Sequence, residues 1–274
     1  MFPSFLLALR EGIEAALIIG ILLGALTKID RKELKPAIWG GVTLAIIVSF
    51  LAAIVLNHLG ASFQGRAEQI FEGTAMLTAA ALLTWMIFWM HRQSSSIKSN
   101  LDAQVRFASL GGSGAIFALA FISISREGFE LALFLTAVGI NANPWVVLIG
   151  AIMGLAVSFG LGYLLFASTR RLNMRNFFLV TNILLILFAA GLVAHGIHEF
   201  NEALLIPPVI EHVWDMNNLI DESSTTGLIL KALFGYNGNP SLTEVIAYIS
   251  YFTLVWVLFK LSTTRQVTVA PVEG

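Results

Sequence analysis

Apolar positions run along this chain in blocks too long for the interior of a soluble domain. The blocks cover 4–27, 37–57, 68–90, 114–140, 145–167, 177–200 and 243–260, with short polar stretches between them. A helix needs about 20 apolar residues, each rising about 1.5 Å, to cross the hydrocarbon core of a bilayer. The pattern therefore predicts an all-α integral membrane protein with seven transmembrane helices. Gly111, Gly112, Ser113 and Gly114 predict a break before the fourth helix. Asn141 to Pro144 predict its end, because proline suits a helix start and not a helix interior.

Composition agrees. Of 274 residues, 57% are hydrophobic and 12% charged, with a mean hydropathy of +0.82. A soluble domain is about one-quarter charged. No room remains for a sizeable soluble domain, so residues 1–274 read as one membrane domain. The absence of cysteine excludes thiolate metal sites, disulfides and thiol catalysis. The first block lacks the basic flank and small-residue cleavage site of a removable signal and is expected to stay as a span.

Charge gives the blocks a direction. Lys28, Arg31, Lys32 and Lys35 follow the first span, and Arg92, Lys98 and Arg106 follow the third. Arg170, Arg171 and Arg175 follow the fifth, and Lys260 and Arg265 close the chain. The opposite loops hold only Arg66 and Lys231. Positive loops stay inside, which predicts an outside N-terminus and an inside C-terminus in the cytoplasmic membrane. Glu68, Glu72, Glu199, Glu202, Glu211, Asp215, Asp221, Glu222 and Glu244 then fall on the outer side, where they attract cations. Asp221 and Glu222 read as solvated loop charges.

Two spans break the apolar rule in the same way. Arg10, Glu11, Gly12, Glu14, Ala16 and Leu17 match Arg126, Glu127, Gly128, Glu130, Ala132 and Leu133. The spans that follow both contain Val-Ser-Phe, at 48–50 and 157–159. Spans three and six match weakly, with Phe71, Thr74, Leu77 and His91 set against Phe178, Thr181, Leu184 and His198. The chain thus reads as two three-helix repeats, about 1–91 and 107–200. An outer loop at 201–242 and a seventh helix at 243–260 complete it. Three spans per copy is an odd number, so the copies must be inverted, a transporter hallmark that puts the substrate site near the midplane.

Residues three apart share a helix face, so Glu11 pairs with Glu14 and Glu127 with Glu130. Gly12 and Gly128 allow close helix approach. Charge at mid-membrane costs at least about 2.5–3.5 kcal/mol per residue on the insertion scale, so it is kept only when paired or functional. Arg10 and Arg126 reach Glu14 and Glu130 at i,i+4. Internal salt bridges that lock two helices explain one copy. Duplication at matched depth, with four carboxylates and two guanidinium groups, favours a multivalent cation held by oxygen.

The doubled R-E-G-x-E motif resembles that of the Ftr-type iron permeases, the oxidase-dependent iron transporter family. Its nearest group looks like the bacterial permeases of the Efe iron-uptake system. The resemblance covers essentially the whole chain, including "FEGTAMLTAAALLTWMIFWM", "GIHEFNEA" and "KALFGYNGNPSLTEV". It implies iron as cargo, with Glu11, Glu14, Glu127 and Glu130 as ligands and Arg10 and Arg126 in support. It also suggests that iron is oxidised outside and taken up as ferric ion, with ferrous ion the alternative, and that separate extracytoplasmic iron-binding or iron-oxidising proteins take part. No cofactor and no nucleic acid are expected; membrane lipid is the surrounding partner.

Further polar residues are candidate relay ligands. Glu68 and Glu72 lie four apart at the start of span three. His195, His198, Glu199 and Glu202 end span six, with His195, Glu199 and Glu202 on one face. His-Glu-x-x-Glu lacks the second histidine of the zinc-protease motif. Interfacial charge is the rival explanation for both groups. Trp85, Met86, Trp89 and Met90 read as packing and interface anchors. Residues 208–220 read as a short interfacial helix.

The rival functions are weaker. An intramembrane metalloenzyme needs a nucleophile or complete zinc triad, and none is visible, so no enzyme is expected. A retinal protein needs a mid-span lysine, whereas Lys260 lies at the end of its span. Transport of another metal, such as lead or manganese, is the nearest alternative.

Overall fold

The computed structural model describes residues 1–93, 97–140, 142–167, 174–217, 219–222 and 224–267. The side chains of Met90, His91, Arg92, Lys98, Arg170, Arg171, Arg175, Phe178 and Arg265 lie outside the described set. Among the described residues the chain is helical without strands. The helices are α1 (Phe2–Lys28), α2 (Lys35–Ser62), α3 (Arg66–Gln93), α4 (Ile97–Leu110), α5 (Gly112–Gly139), α6 (Pro144–Ala167), α7 (Met174–Glu202), α8 (Thr225–Phe234) and α9 (Leu242–Val267).

Among the described residues, five segments are long and apolar enough to cross a membrane: Lys32–Leu59, Arg66–Trp89, Pro144–Leu164, Leu179–Glu202 and Leu242–Leu261. Helices α1 and α5 are equally long, at 27 and 28 residues, and differ by the charges of the doubled motif. The glycine break falls as expected: α4 stops before Gly111, and Gly112 takes a left-handed φ of 74° that favours glycine. Large apolar side chains such as Ile46 and Phe50 on α2, and Ile152 and Phe159 on α6, point away from the protein. Such faces call for an apolar surrounding.

Two expectations fail. The polar stretch before the glycines is not a plain loop but the 14-residue helix α4. Its Leu101, Val105 and Ala108, at helical spacing, pack into a core with Leu22, Leu26, Ile38 and Ile116. Lys28 holds Asp102 at 3.2 Å and pins α4 to the end of α1. The described residues of 208–220 are not helical. Their backbone pairs instead with the segment before α9: Val213 N donates to Pro240 O at 3.0 Å, and Met216 N to Gly238 O at 2.7 Å. The helix of this region is α8. Ser224 caps its start by accepting from Gly227 N at 3.0 Å, and Gly235 closes it with a φ of 67°. Glu222 is no free surface charge either, because its Oε1 accepts from Gly238 N.

The chain forms two compact units, Met1–Ser62 with Ser95–Thr181, and Phe63–Ser94 with Asn182–Gly274. In the first, α1 lies along α6 and α2 along α5, while α1 also meets α5. The later half of α1 packs with the early half of α5, so these two helices run in opposite directions. Close backbone approach fastens the pairs. A Cβ on Gly12 of α1 would strike Ser158 of α6, and a Cβ on Gly128 of α5 would strike Ser49 of α2. The motif glycine of each copy thus faces the Val-Ser-Phe serine of the other. Interlocking of this kind matters in lipid, which is as apolar as leucine and gives burial little force.

In the second unit, Gly73 of α3 lies against the Gly196 carbonyl and the Phe200 ring of α7. Thr84 of α3 meets Tyr251 of α9 at 2.9 Å between hydroxyls. These two hydroxyls face an apolar cleft of about 510 Å³ between α3, α7 and α9. Thr84 Oγ1 donates to the Ala80 carbonyl at 2.7 Å, so Tyr251 donates to Thr84.

Candidate functional site

The carboxylates of the doubled motif converge inside the first unit. Glu11 and Glu14 lie 9 and 12 residues from the start of α1 at Phe2, and Glu130 and Glu127 lie 9 and 12 residues from the end of α5 at Gly139. At about 1.5 Å per residue both pairs sit some 14–18 Å from those helix ends. Opposed helix directions bring them to one level. Glu11, Glu14 and Glu127 each offer a carboxylate oxygen within 4.8 Å of the others, and all three are buried. Among the described residues this is the one such group of three or more. Glu130 stands beside it, tied to Arg126.

The guanidinium groups are placed unequally. Arg10 is fully buried and holds Glu14 at 3.1 Å. Arg126, with its side chain 39% exposed, reaches Glu130 at 3.0 Å and Glu127 at 3.5 Å. Both i,i+4 pairs expected from the sequence are present. They do not use up the carboxylates. Both oxygens of Glu11, Oε2 of Glu127 and Oε2 of Glu130 are buried and accept no hydrogen bond among the described residues. Buried carboxylate oxygens without donors are costly, and a metal cation is the partner that satisfies several at once. Four carboxylates against two guanidinium groups leave a formal charge near −2. The ligand atoms that converge are all carboxylate oxygens, a donor set for hard cations.

The relay candidates belong to the second unit and do not assemble in the same way. No three of Glu68, Glu72, His195, His198, Glu199 and Glu202 bring ligand atoms within 4.8 Å. Glu72 lies within electrostatic reach of Glu199 and Glu68. His195 Nδ1 lies 3.0 Å from the Gly191 carbonyl one turn back, which leaves its Nε2 as the ring's other nitrogen. His198 turns instead to Glu244 of α9, at 3.1 Å. Met86 is buried packing, as expected, and Trp85 stacks on Trp89 at 6.4 Å between centroids.

Three contributors were passed over in the sequence. Ser49 and Ser158 were visible as an echo without a role. Glu244 had a signal, the capping box Ser241-x-x-Glu244 at the start of α9.

Several helices long and apolar enough to cross a membrane define a multi-pass membrane protein, and its first unit holds a buried carboxylate cluster. The chain matches the family described as "Iron permease FTR1 family" over residues 1–268, and it belongs to that family. Among curated proteins it is 33% identical over 269 residues to "Ferrous iron permease EfeU" of Yersinia pestis, covering 95% of this chain and 94% of that one. It is 36% identical over 265 residues to the protein of the same name from Escherichia coli O6:H1, covering 95% and 96%. No solved structure matches the chain.

Proposed function

We propose that this protein is an iron permease of the cytoplasmic membrane, and that iron crosses through the cluster of Glu11, Glu14, Glu127 and Glu130. The observation that carries this reading is the convergence of three buried carboxylates from two oppositely directed helices, with both oxygens of Glu11 and one of Glu127 lacking a hydrogen-bond donor among the described residues. In this reading α1 and α5 are spans as well, giving seven with the five apolar segments. The N-terminus is outside, the C-terminus inside, and the two halves are inverted repeats. The crossed Gly12–Ser158 and Gly128–Ser49 contacts support the repeats, since they relate the same positions of each copy.

The cluster binds iron by exchanging its hydration shell for carboxylate oxygens while Arg10 and Arg126 limit the excess negative charge. Ferrous ion is the cargo that the formal charge near −2 and the relatives' names favour. Ferric ion is the second reading, favoured by the all-oxygen donor set. Separate extracytoplasmic proteins supply the iron, and the chain itself performs no catalysis. Radioactive iron uptake into proteoliposomes tests this, with ferrous iron under reductant, ferric citrate, and competing manganese or lead. Saturable iron uptake is expected; transport of manganese or lead in preference to iron would overturn the reading.

A further inference from the structure

We infer that the last turn of α7 is a second cation site, in which His198 Nε2 and the Glu202 carboxylate chelate a divalent metal ion. Glu244 is its positioning residue. Glu244 is 3% exposed and held from several sides. It accepts from Asn237 Nδ2 at 2.8 Å, from Ser241 Oγ at 2.9 Å and from Ser241 N at 3.2 Å. A carboxylate with this many donors is an acceptor only, so His198 Nδ1, at 3.1 Å, is the donor. In the neutral ring the proton therefore sits on Nδ1 and Nε2 carries the lone pair. Metal-binding histidines nearly always have their other nitrogen held in this way by a carboxylate or carbonyl.

The rest of the turn suits a cation. The His198 side chain is 41% exposed. Glu202 is exposed one turn on, at i+4 and on the same face. Glu199 and Glu202 lie within electrostatic reach of His198. The C-terminal end of a helix carries partial negative charge, which favours a cation there. An imidazole nitrogen with a carboxylate suits a borderline ion such as ferrous iron, with water completing the shell. Any use of this site in uptake rests on the iron reading above; the binding does not.

The test is anoxic equilibrium dialysis of the purified full-length protein against ferrous iron. In a Glu14→Ala/Glu130→Ala background about one equivalent of iron should stay bound. Adding His198→Asn should abolish it, because asparagine still donates to Glu244 but has no Nε2. Glu244→Gln should weaken it about 10–100-fold. Where the double background does not fold, the count on the otherwise native protein decides, since His198→Asn should remove one equivalent from the total. Iron binding unchanged by His198→Asn would overturn the site, and unchanged affinity in Glu244→Gln would overturn the positioning role.

Discussion

Ser158 occupies the space that a side chain on Gly12 would need: a Cβ there meets both its Oγ and its Cβ. Gly12 lies between two site glutamates, so this contact sets how closely α1 and its carboxylates approach α6. Gly12→Ala should destabilise the protein by about 1–3 kcal/mol through overpacking and reduce iron uptake. Gly12→Ala combined with Ser158→Gly should recover most of both. Thermal unfolding and uptake on the three variants check this; a double variant no better than the single would remove the contact from the account.

The two arginines should not be equivalent. Arg10 is sealed beside Glu14, and stripping one partner from a buried pair costs about 3–5 kcal/mol. Arg126, with its side chain 39% exposed, is less tightly enclosed. Arg10→Gln should therefore lower the midpoint of thermal unfolding clearly more than Arg126→Gln, although both should impair uptake. Equal midpoints would contradict the asymmetry. Arg10→Lys should also impair uptake, since lysine lacks the planar fork.

In the second unit, Gly235 ends α8 in a left-handed turn while its Cα presses on the Gly191 backbone of α7. A Cβ at Gly235 has no room and an unfavourable φ, whereas Ser224→Ala removes a cap, worth about 1 kcal/mol, and a hydrogen bond to the Asp221 carbonyl. Hydrogen exchange of 225–234 should rise modestly in Ser224→Ala and sharply in Gly235→Ala. The reverse order would show that α8 is not anchored at this crossing.

The site was legible in the sequence because charge inside an apolar helix is conspicuous, and because Arg10 to Glu14 and Arg126 to Glu130 repeat it at one spacing. The i,i+4 pairs followed from helix geometry alone. What joins Gly12 to Ser158 and His198 to Glu244 was not legible, since the partners lie 146 and 46 residues apart and nothing local encodes their meeting. Helix α4 was missed because its polar surface resembled a loop, while only Leu101, Val105 and Ala108 marked its buried face. At 208–220 an apolar periodicity suggested a helix, but backbone pairing with 238–242 took its donors and acceptors. The helix beyond was signalled by its ends, Ser224 and Gly235, and not by its interior.

The most direct test of the carboxylate route is ferrous and ferric iron uptake into proteoliposomes by Glu14→Ala and Glu130→Ala, each confirmed as inserted and helical. Both variants should fold and lose uptake, one from each helix, because a single missing carboxylate leaves the site unable to replace iron's hydration shell. Normal iron uptake by either variant would contradict the account.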